Sequence, residues 1–116
     1  MSTTIYHNPR CSKSRQALEL IRERGEEPLV IEYLMTPPTR EQLLDTLRLL
    51  GIGPRALLRR GEEEYTMLGL ENPELSDDAI IDAMLAHPKL IERPIIIHNG
   101  KAIIGRPPEK VLEILE

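Results

Sequence analysis

The start of the chain has the pattern of a β-α-β unit, and this restricts the fold more than any other feature of the sequence. Thr3–Tyr6 and Leu29–Tyr33 are rich in β-branched and aliphatic residues, as expected for strands. Between them, apolar residues recur at helical spacing from about Ser12 to Arg24, and Gly25 follows as a helix stop. Two strands joined by one helix are parallel and have a right-handed crossover. The chain is therefore predicted to begin as an α/β domain.

The strongest local signal lies near the other end of the chain. Asn99-Gly100 separates two β-prone runs, Ile95–His98 and Lys101–Ile104, and predicts a hairpin with a type I′ turn. A final helix is expected after Pro107-Pro108. These elements add two antiparallel strands and one helix to the β-α-β unit.

The middle of the chain, about residues 39–91, is predicted to be a mostly helical insertion between strands 2 and 3. Thr39 with Gln42 makes a capping box for a helix that ends near Leu50. Ser76, followed by two aspartates, marks a further helix start. The complete pattern fits a single domain, residues 1–116, built as a three-layer α/β/α sandwich with a mixed four-stranded sheet.

Composition narrows the class of protein. With 116 residues the chain holds one core, and its net charge of −4 argues against a nucleic-acid partner. No apolar run approaches the roughly 20 residues that cross a bilayer, so no membrane partner is expected. The chain has one cysteine, so it forms no internal disulfide, and a cytoplasmic location is expected. Any disulfide chemistry must take its second thiol from another molecule.

Cys11 is the candidate nucleophile. It follows the first strand and the Asn8-Pro9 turn, and it directly precedes the helix that begins at about Ser12. The free N–H groups and positive end of a helix favour a thiolate, which is the nucleophilic form of cysteine. The same N–H groups also bind anions. The site is therefore predicted to hold a nucleophile that attacks an anion. Basic residues nearby in sequence are His7, Arg10, Lys13 and Arg15.

Two further residues are candidates for supporting the thiolate. Ser14 shares a helix face with Cys11, and its hydroxyl is expected to donate a hydrogen bond to sulfur. Ser14 also occupies the position of the resolving cysteine in a Cys-x-x-Cys couple, so that couple is excluded. His7 is expected either to support the thiolate, by orientation or by positive charge, or to cap a turn. His87 and His98 have no ligand-like neighbours in sequence, and no metal site is expected.

Arginines are the candidate anion-binding groups. Arg93 precedes the first hairpin strand and Arg106 follows the second, which places them side by side at one end of an antiparallel pair. Guanidinium groups bind tetrahedral oxyanions bidentately and keep their charge. Pro94 is a candidate cis residue before a core strand. Arg59 ends a short helix and, on pattern alone, is equally a surface residue.

These segments resemble the glutaredoxin-coupled arsenate reductase family (ArsC), which has a thioredoxin-like fold. The resemblance runs through essentially the whole chain in order. One departure is Ser12-Lys13, which follows the cysteine where the best-known branch of the family has Gly-Thr. The matching segments are Ile5–Cys11 with Ser14-Arg15, Tyr33–Pro38, Arg55–Arg59, Glu92–Ile95 and Gly105–Glu109.

The resemblance implies a reaction and a set of site residues. The reaction would reduce arsenate to arsenite through a thioarsenate on Cys11, with glutathione as co-substrate, glutaredoxin as partner and no bound cofactor. The residues it implies are Cys11 and His7 for catalysis, Arg59, Arg93 and Arg106 for substrate binding, and Pro94 as a structural cis-proline. Ser14 is added to the substrate-binding residues because of its place beside Cys11 on the helix.

Two other interpretations stay open at this point. An Spx-like regulator that binds RNA polymerase shares the fold and family, although Ser14 removes the Cys-x-x-Cys switch that such regulators commonly use. A monothiol glutathione-dependent oxidoreductase would act on protein mixed disulfides and would not need Arg59 or Arg106. An assay for arsenite formation distinguishes an arsenate reductase from both of these alternatives.

Overall fold

A computed structural model describes residues 2–115 of the chain. Its contacts divide the chain into two compact units. The sheet unit comprises Met1–Thr36 and Arg93–Glu116, and the helical unit is Pro37–Glu92. In chain order the strands and α-helices are β1 (Thr3–His7), α1 (Ser12–Glu23), β2 (Leu29–Glu32), α2 (Arg40–Leu50), α3 (Glu63–Met67), α4 (Asp77–Ala86), β3 (Ile95–His98), β4 (Lys101–Ile104) and α5 (Val111–Ile114).

The four strands form one mixed sheet, as the sequence predicts, in the order β2-β1-β3-β4. β1 is parallel to β2 and antiparallel to β3, and β4 is antiparallel to β3. His7 pairs with Glu32 across β1 and β2. Ile95 pairs with both Tyr6 and Ile104. The ends of β1, β2 and β4 and the start of β3 therefore meet at one edge of the sheet, which is the edge where β1 leads into Cys11.

The main packed cluster of the sheet unit is aliphatic, and the chain contains neither phenylalanine nor tryptophan. Side chains of α1 and α5 pack on those of β1 and β3. Burying each of the valine, leucine and isoleucine side chains contributes about 1.5–3 kcal/mol to the free energy of unfolding. The buried members of this cluster are Ile5, Ala17, Leu18, Ile21, Ile96, Val111 and Ile114.

The hairpin turn and the helix stop have the predicted geometry. Asn99 has φ +52° and Gly100 has φ +73°, and positive values at both central residues define a type I′ turn. Gly25 has φ +84° and its N–H donates to the carbonyl of Arg22. The last helix differs from expectation, because Pro108–Lys110 form a 3₁₀ turn before α5 begins.

The helical unit contains two helix caps and an arginine that links two of its helices. Thr39 accepts a hydrogen bond from the N–H of Gln42, whose side chain in turn accepts from the N–H of Thr39, so the predicted capping box is present. Ser76 caps α4 as predicted. Arg40 at the start of α2 pairs with Asp78 and Asp82 of α4. Within residues 2–115 no helix combines the length and hydropathy needed to cross a bilayer.

Removing the capping hydroxyl of Thr39 is expected to destabilise the helical unit. Thr39→Ala should lower the free energy of unfolding by about 1 kcal/mol, because the N–H of Gln42 in the first turn of α2 loses its side-chain acceptor. Urea unfolding followed by circular dichroism measures the change. Thr66→Ala, an exposed threonine within α3, is the matched control. Equal losses in the two variants would contradict a specific role for the cap.

Candidate active site

The segment from β1 to α1 is fixed by hydrogen bonds that place Cys11 at the helix N-cap. The N–H of Cys11 donates to the carbonyl of Asn8 at 3.0 Å, and the side chain of Asn8 accepts from the N–H of Arg10 at 3.0 Å. Arg15, one turn into α1, donates from Nη1 to the carbonyl of Pro9 at 2.8 Å. Cys11 itself has extended backbone angles, φ −94° and ψ 120°. This is the backbone conformation of an N-cap residue.

The surroundings of Cys11 favour its thiolate. Burial alone would raise the pKa of the half-buried thiol, but the N–H of Ser14 and the charge of Arg93 outweigh it, helped by the N–H of Lys13 and a hydrogen bond from Arg93. The pKa of Cys11 therefore lies below its ordinary value. No acidic residue occupies the first turn of α1 to oppose the thiolate.

His7 and Ser14 form a buried pair beneath the cysteine. His7 Nδ1 lies 2.6 Å from Ser14 Oγ, and Ser14 Oγ also accepts from the N–H of Asn8 at 3.1 Å. The side chain of Ser14 is fully buried and that of His7 nearly so. Burial lowers the pKa of His7, against an opposing effect from Glu32. His7 is therefore neutral near pH 7.

This pair corrects two sequence expectations. The hydroxyl of Ser14 is engaged with His7 and Asn8, and the group of Ser14 that acts on sulfur is its backbone N–H. His7 does not add positive charge beside the thiolate, because its imidazole is buried and its pKa is lowered. His7 instead contacts the helix turn that carries the thiol-facing N–H.

Arg93 and Arg106 lie together at the sheet edge where β1 ends. Nη1 of Arg106 lies 3.5 Å from the carbonyl oxygen of Arg93, towards which it donates. Arg93 also reaches the sulfur of Cys11. The Arg93–Pro94 bond is cis, the isomer that the resemblance implies. The Arg106–Pro107 bond is also cis, a feature that the sequence analysis did not anticipate.

Gly105 is the unforeseen residue that positions Arg106. Its N–H donates to the carbonyl of Pro94 at 2.9 Å. A Cβ at this position would lie 3.1 Å from both Ile96 Cδ1 and Pro94 Cγ and 3.6 Å from Ala17 Cβ. The chain therefore passes close to the core just before Arg106. The position of Gly105 after a strand and before an arginine was the available sequence signal, but it does not reveal such crowding.

Arg59 belongs to the helical unit. Its N–H donates to the carbonyl of Leu90 at 2.8 Å, beside the isolated bridge between Leu58 and Ile91. Its guanidinium lies 3.2 Å from Glu62 and is largely buried. The short helix predicted over Pro54–Arg59 is a 3₁₀ helix that ends at Leu57. Arg59 therefore lies two residues beyond the end of this helix.

The chemistry available in the sheet unit is that of a nucleophilic thiolate beside fixed cations. The helix N-terminus and Arg93 both stabilise negative charge at one place, and Arg106 adds a second guanidinium at the same sheet edge. Among residues 2–115 there is no group of three histidine, cysteine or acidic side chains suited to a metal ion. The arrangement suits attack on an oxyanion.

Arg93 is expected to set the acidity of Cys11. Arg93→Ala should raise the pKa of Cys11, because the thiol loses both a positive charge and a hydrogen-bond donor. Thiolate absorbance near 240 nm, titrated against pH, measures this directly. Arg106→Ala is the matched control and should shift the pKa less. An unchanged pKa of Cys11 in Arg93→Ala would show that Arg93 does not act on the thiol.

His7 is expected to make stability pH-dependent. Its pKa is lowered in the folded protein, so the unfolded chain binds a proton more readily and stability is lost as the pH falls below about 6.5. The His7→Asn variant retains a polar atom near Ser14 but does not titrate. Urea unfolding between about pH 7.5 and 5 should therefore show a smaller loss in His7→Asn than in the wild type. Equal losses of stability in the wild type and in His7→Asn would show that His7 does not cause the pH dependence.

Comparison with known proteins places the chain in a family. The sequence profile described as the ArsC family matches residues 6–114. The chain is 54% identical to the protein YfgD of Escherichia coli K12 over 112 residues, covering 96% of this chain and 94% of YfgD. It is 52% identical to an arsenate reductase of the same organism, covering 97% of this chain and 79% of that protein.

Solved structures agree with this placement. The structure of an arsenate reductase from Vibrio cholerae is 54% identical in sequence, covers 98% of each chain and superposes with a TM-score of 0.95. The predicted α/β class and mixed four-stranded sheet are confirmed. The chain belongs to the ArsC family and has its thioredoxin-like fold.

Proposed function

We propose that this protein is an arsenate reductase in which Cys11 attacks arsenate and external thiols supply the electrons. Relatives named arsenate reductase share about half of its sequence over nearly its whole length. The observation that carries the proposal is the contact of Arg93 with a sulfur whose pKa is lowered. That contact provides the nucleophile and an anion-binding group in one place.

The first step is attack of the Cys11 thiolate on arsenic, with loss of hydroxide or water. A sulfur–arsenic bond forms and an arsenic–oxygen bond breaks, and arsenic stays at oxidation state five. Two anions must approach each other, so positive charge is required. Opposite unit charges about 4 Å apart gain roughly 4 kcal/mol at an effective dielectric constant near 20. Arg93 and Arg106 are proposed to supply this charge.

His7 and Ser14 support that step indirectly. The bond between Ser14 Oγ and His7 Nδ1 anchors the first turn of α1 to the end of β1. Because the N–H of Ser14 faces the sulfur, this anchor keeps a thiolate-stabilising group in place. We assign His7 and Ser14 a positioning role, with the neutral imidazole as a hydrogen-bond partner and not as a charge.

The later steps use thiols that the protein does not contain. Glutathione displaces a second oxygen from arsenic, and glutaredoxin then attacks the sulfur of that glutathione, which forms a mixed disulfide and leaves arsenic in oxidation state three on Cys11. Water then cleaves the sulfur–arsenic bond, so that arsenite leaves and the Cys11 thiolate is restored. A second glutathione regenerates glutaredoxin and gives glutathione disulfide. Overall, arsenate and two glutathione molecules give arsenite, glutathione disulfide and water. Arsenic gains the two electrons that the two thiols lose. Since the chain has a single cysteine, both electrons come from outside it. A cytoplasmic location, where such thiols are reduced, fits this requirement.

Arg59 is proposed as a further anion-binding residue from the sequence resemblance. Its guanidinium is charged and largely buried, with Glu62 as its partner. Arg55, four residues earlier, has a structural role instead, because it donates to the carbonyls of Leu70, Asn72 and Leu75. The exposed Arg60 is the natural control for Arg59.

An arsenate reduction assay with glutathione and glutaredoxin tests the proposal. Cys11→Ser should form no detectable arsenite, because the alcohol is not ionised near pH 7. Arg93→Ala and Arg106→Ala should each lower kcat/KM by about 100-fold, the usual effect of losing one oxyanion-stabilising group. Arsenite and glutathione disulfide are measured together to check the stoichiometry.

Two matched controls accompany this assay. Arg24→Ala removes an exposed arginine at the opposite end of α1 and should leave the rate near that of the wild type. Arg59→Ala should reduce kcat/KM, whereas its neighbour Arg60→Ala should not. Wild-type protein that forms no arsenite but reduces glutathionylated proteins would favour the monothiol oxidoreductase instead. Arsenite formation that survives Cys11→Ser would overturn the assignment of the nucleophile.

A further inference from the structure

A groove of about 400 Å³ lies beside the loop that precedes Cys11. One wall is residues 7–10, the segment between β1 and the nucleophile. The other wall comes from the end of β2 and the turn that follows it, through Glu32, Leu34 and Met35. None of these three residues has a role in the chemistry described above.

The sheet register explains why the groove forms there. His7 pairs with Glu32 in the parallel β1–β2 ladder, so the chain leaves both strands at the same level. After β2 the chain turns sharply, because the N–H groups of Met35 and Thr36 both donate to the carbonyl of Glu32 at 2.9 Å. This turn buries Tyr33 but leaves 81% of Met35 exposed.

The groove and the arginines lie on different sides of β1. Arg93 precedes β3 and Arg106 follows β4, and both strands lie on one side of β1 in the sheet order. β2, with Glu32 at its end, lies on the other side. Cys11 directly follows the loop that lies between the groove and these two arginines. An anion held by Arg93 therefore leaves the groove side of the cysteine loop open to a second reactant.

The lining of the groove combines an apolar surface with one charge of each sign. Leu34 and Met35 supply exposed apolar area, and methionine adapts its shape to a ligand readily. Arg10 supplies an exposed cation beside them, and Glu32 an exposed carboxylate. A complementary ligand carries a carboxylate for Arg10, an ammonium group for Glu32 and a short apolar portion between them.

We propose that this groove binds the external thiol reductant, a small zwitterionic peptide thiol of the glutathione type. The inference rests on the proposed function, in which the single cysteine requires a thiol from outside the chain. A carboxylate of the peptide pairs with Arg10 and its ammonium group with Glu32, while its body contacts Met35. The thiol of the peptide then lies towards Cys11, the residue that directly follows Arg10.

Binding is tested first without any reaction. S-methylglutathione, which has no free thiol, is titrated into the wild-type protein and followed by NMR. Backbone amide shifts are expected to concentrate in residues 8–10 and 32–36. Shifts confined to residues outside those two segments, or no shift at millimolar ligand, would overturn the proposal.

Kinetics with varied glutathione, at fixed saturating arsenate and glutaredoxin, test the individual contacts. Arg10→Ala and Glu32→Gln should each raise the KM for glutathione about fivefold and change the KM for arsenate less than twofold, since each removes one charge-assisted contact. Met35→Ala should also raise the KM for glutathione. Leu29→Ala is its matched control, because Leu29 is an exposed apolar residue at the opposite end of β2.

An uncharged thiol separates charge recognition from damage to the site. With 2-mercaptoethanol as reductant, Arg10→Ala and Glu32→Gln should match the wild type, because this thiol has no group for either residue. Wild-type protein that forms no arsenite with either thiol would refute the proposed function, while the NMR titration would still decide the groove. Active variants with an unchanged KM for glutathione would refute the groove as the thiol site and leave the proposed function intact.

Discussion

The site depends on a competition at Cys11 between burial and local positive potential. Burial raises the pKa of the thiol, whereas the N–H groups at the start of α1 and the guanidinium of Arg93 lower it, and the lowering effects prevail. The fold brings these opposing effects together, because β1 delivers the cysteine to the helix N-cap and β3 begins beside it. An exposed cysteine at a frayed helix end would gain little from either dipole or guanidinium.

Local pattern predicts much of both units, because the relevant signals span only a few residues. Asn99-Gly100 requires positive φ at both positions, and Thr39 with Gln42 needs only one turn of helix to form a capping box. The pairing of Arg93 and Arg106 also followed from the hairpin, since antiparallel strands bring the residue before one next to the residue after the other. Each of these features is encoded by neighbours in sequence or by one ladder.

Tertiary packing decides what sequence reasoning missed. Ser14 was expected to donate to sulfur, but β1 places His7 at 2.6 Å from its hydroxyl, and a buried imidazole nitrogen requires a partner. The same burial keeps His7 neutral, which its position in sequence does not show. The sequence analysis treated Arg15 only as a positive charge near Cys11. In the structure Arg15 donates to the carbonyl of Pro9 and fixes the loop that precedes Cys11. Such competition among partners becomes visible only once the chain is folded.

The close passage of Gly105 over the core has a consequence for how this protein tolerates variation. Gly105, which precedes Arg106, faces Ala17 of α1 at a point where an added methyl group would be tight against Ile96 and Pro94. Gly105 is thus constrained to a residue without a side chain. An extra methylene group on the buried face of α1 would push against Gly105. The displacement would then move Arg106, the next residue, at the surface. Packing in the interior is in this way linked to the position of Arg106 at the surface.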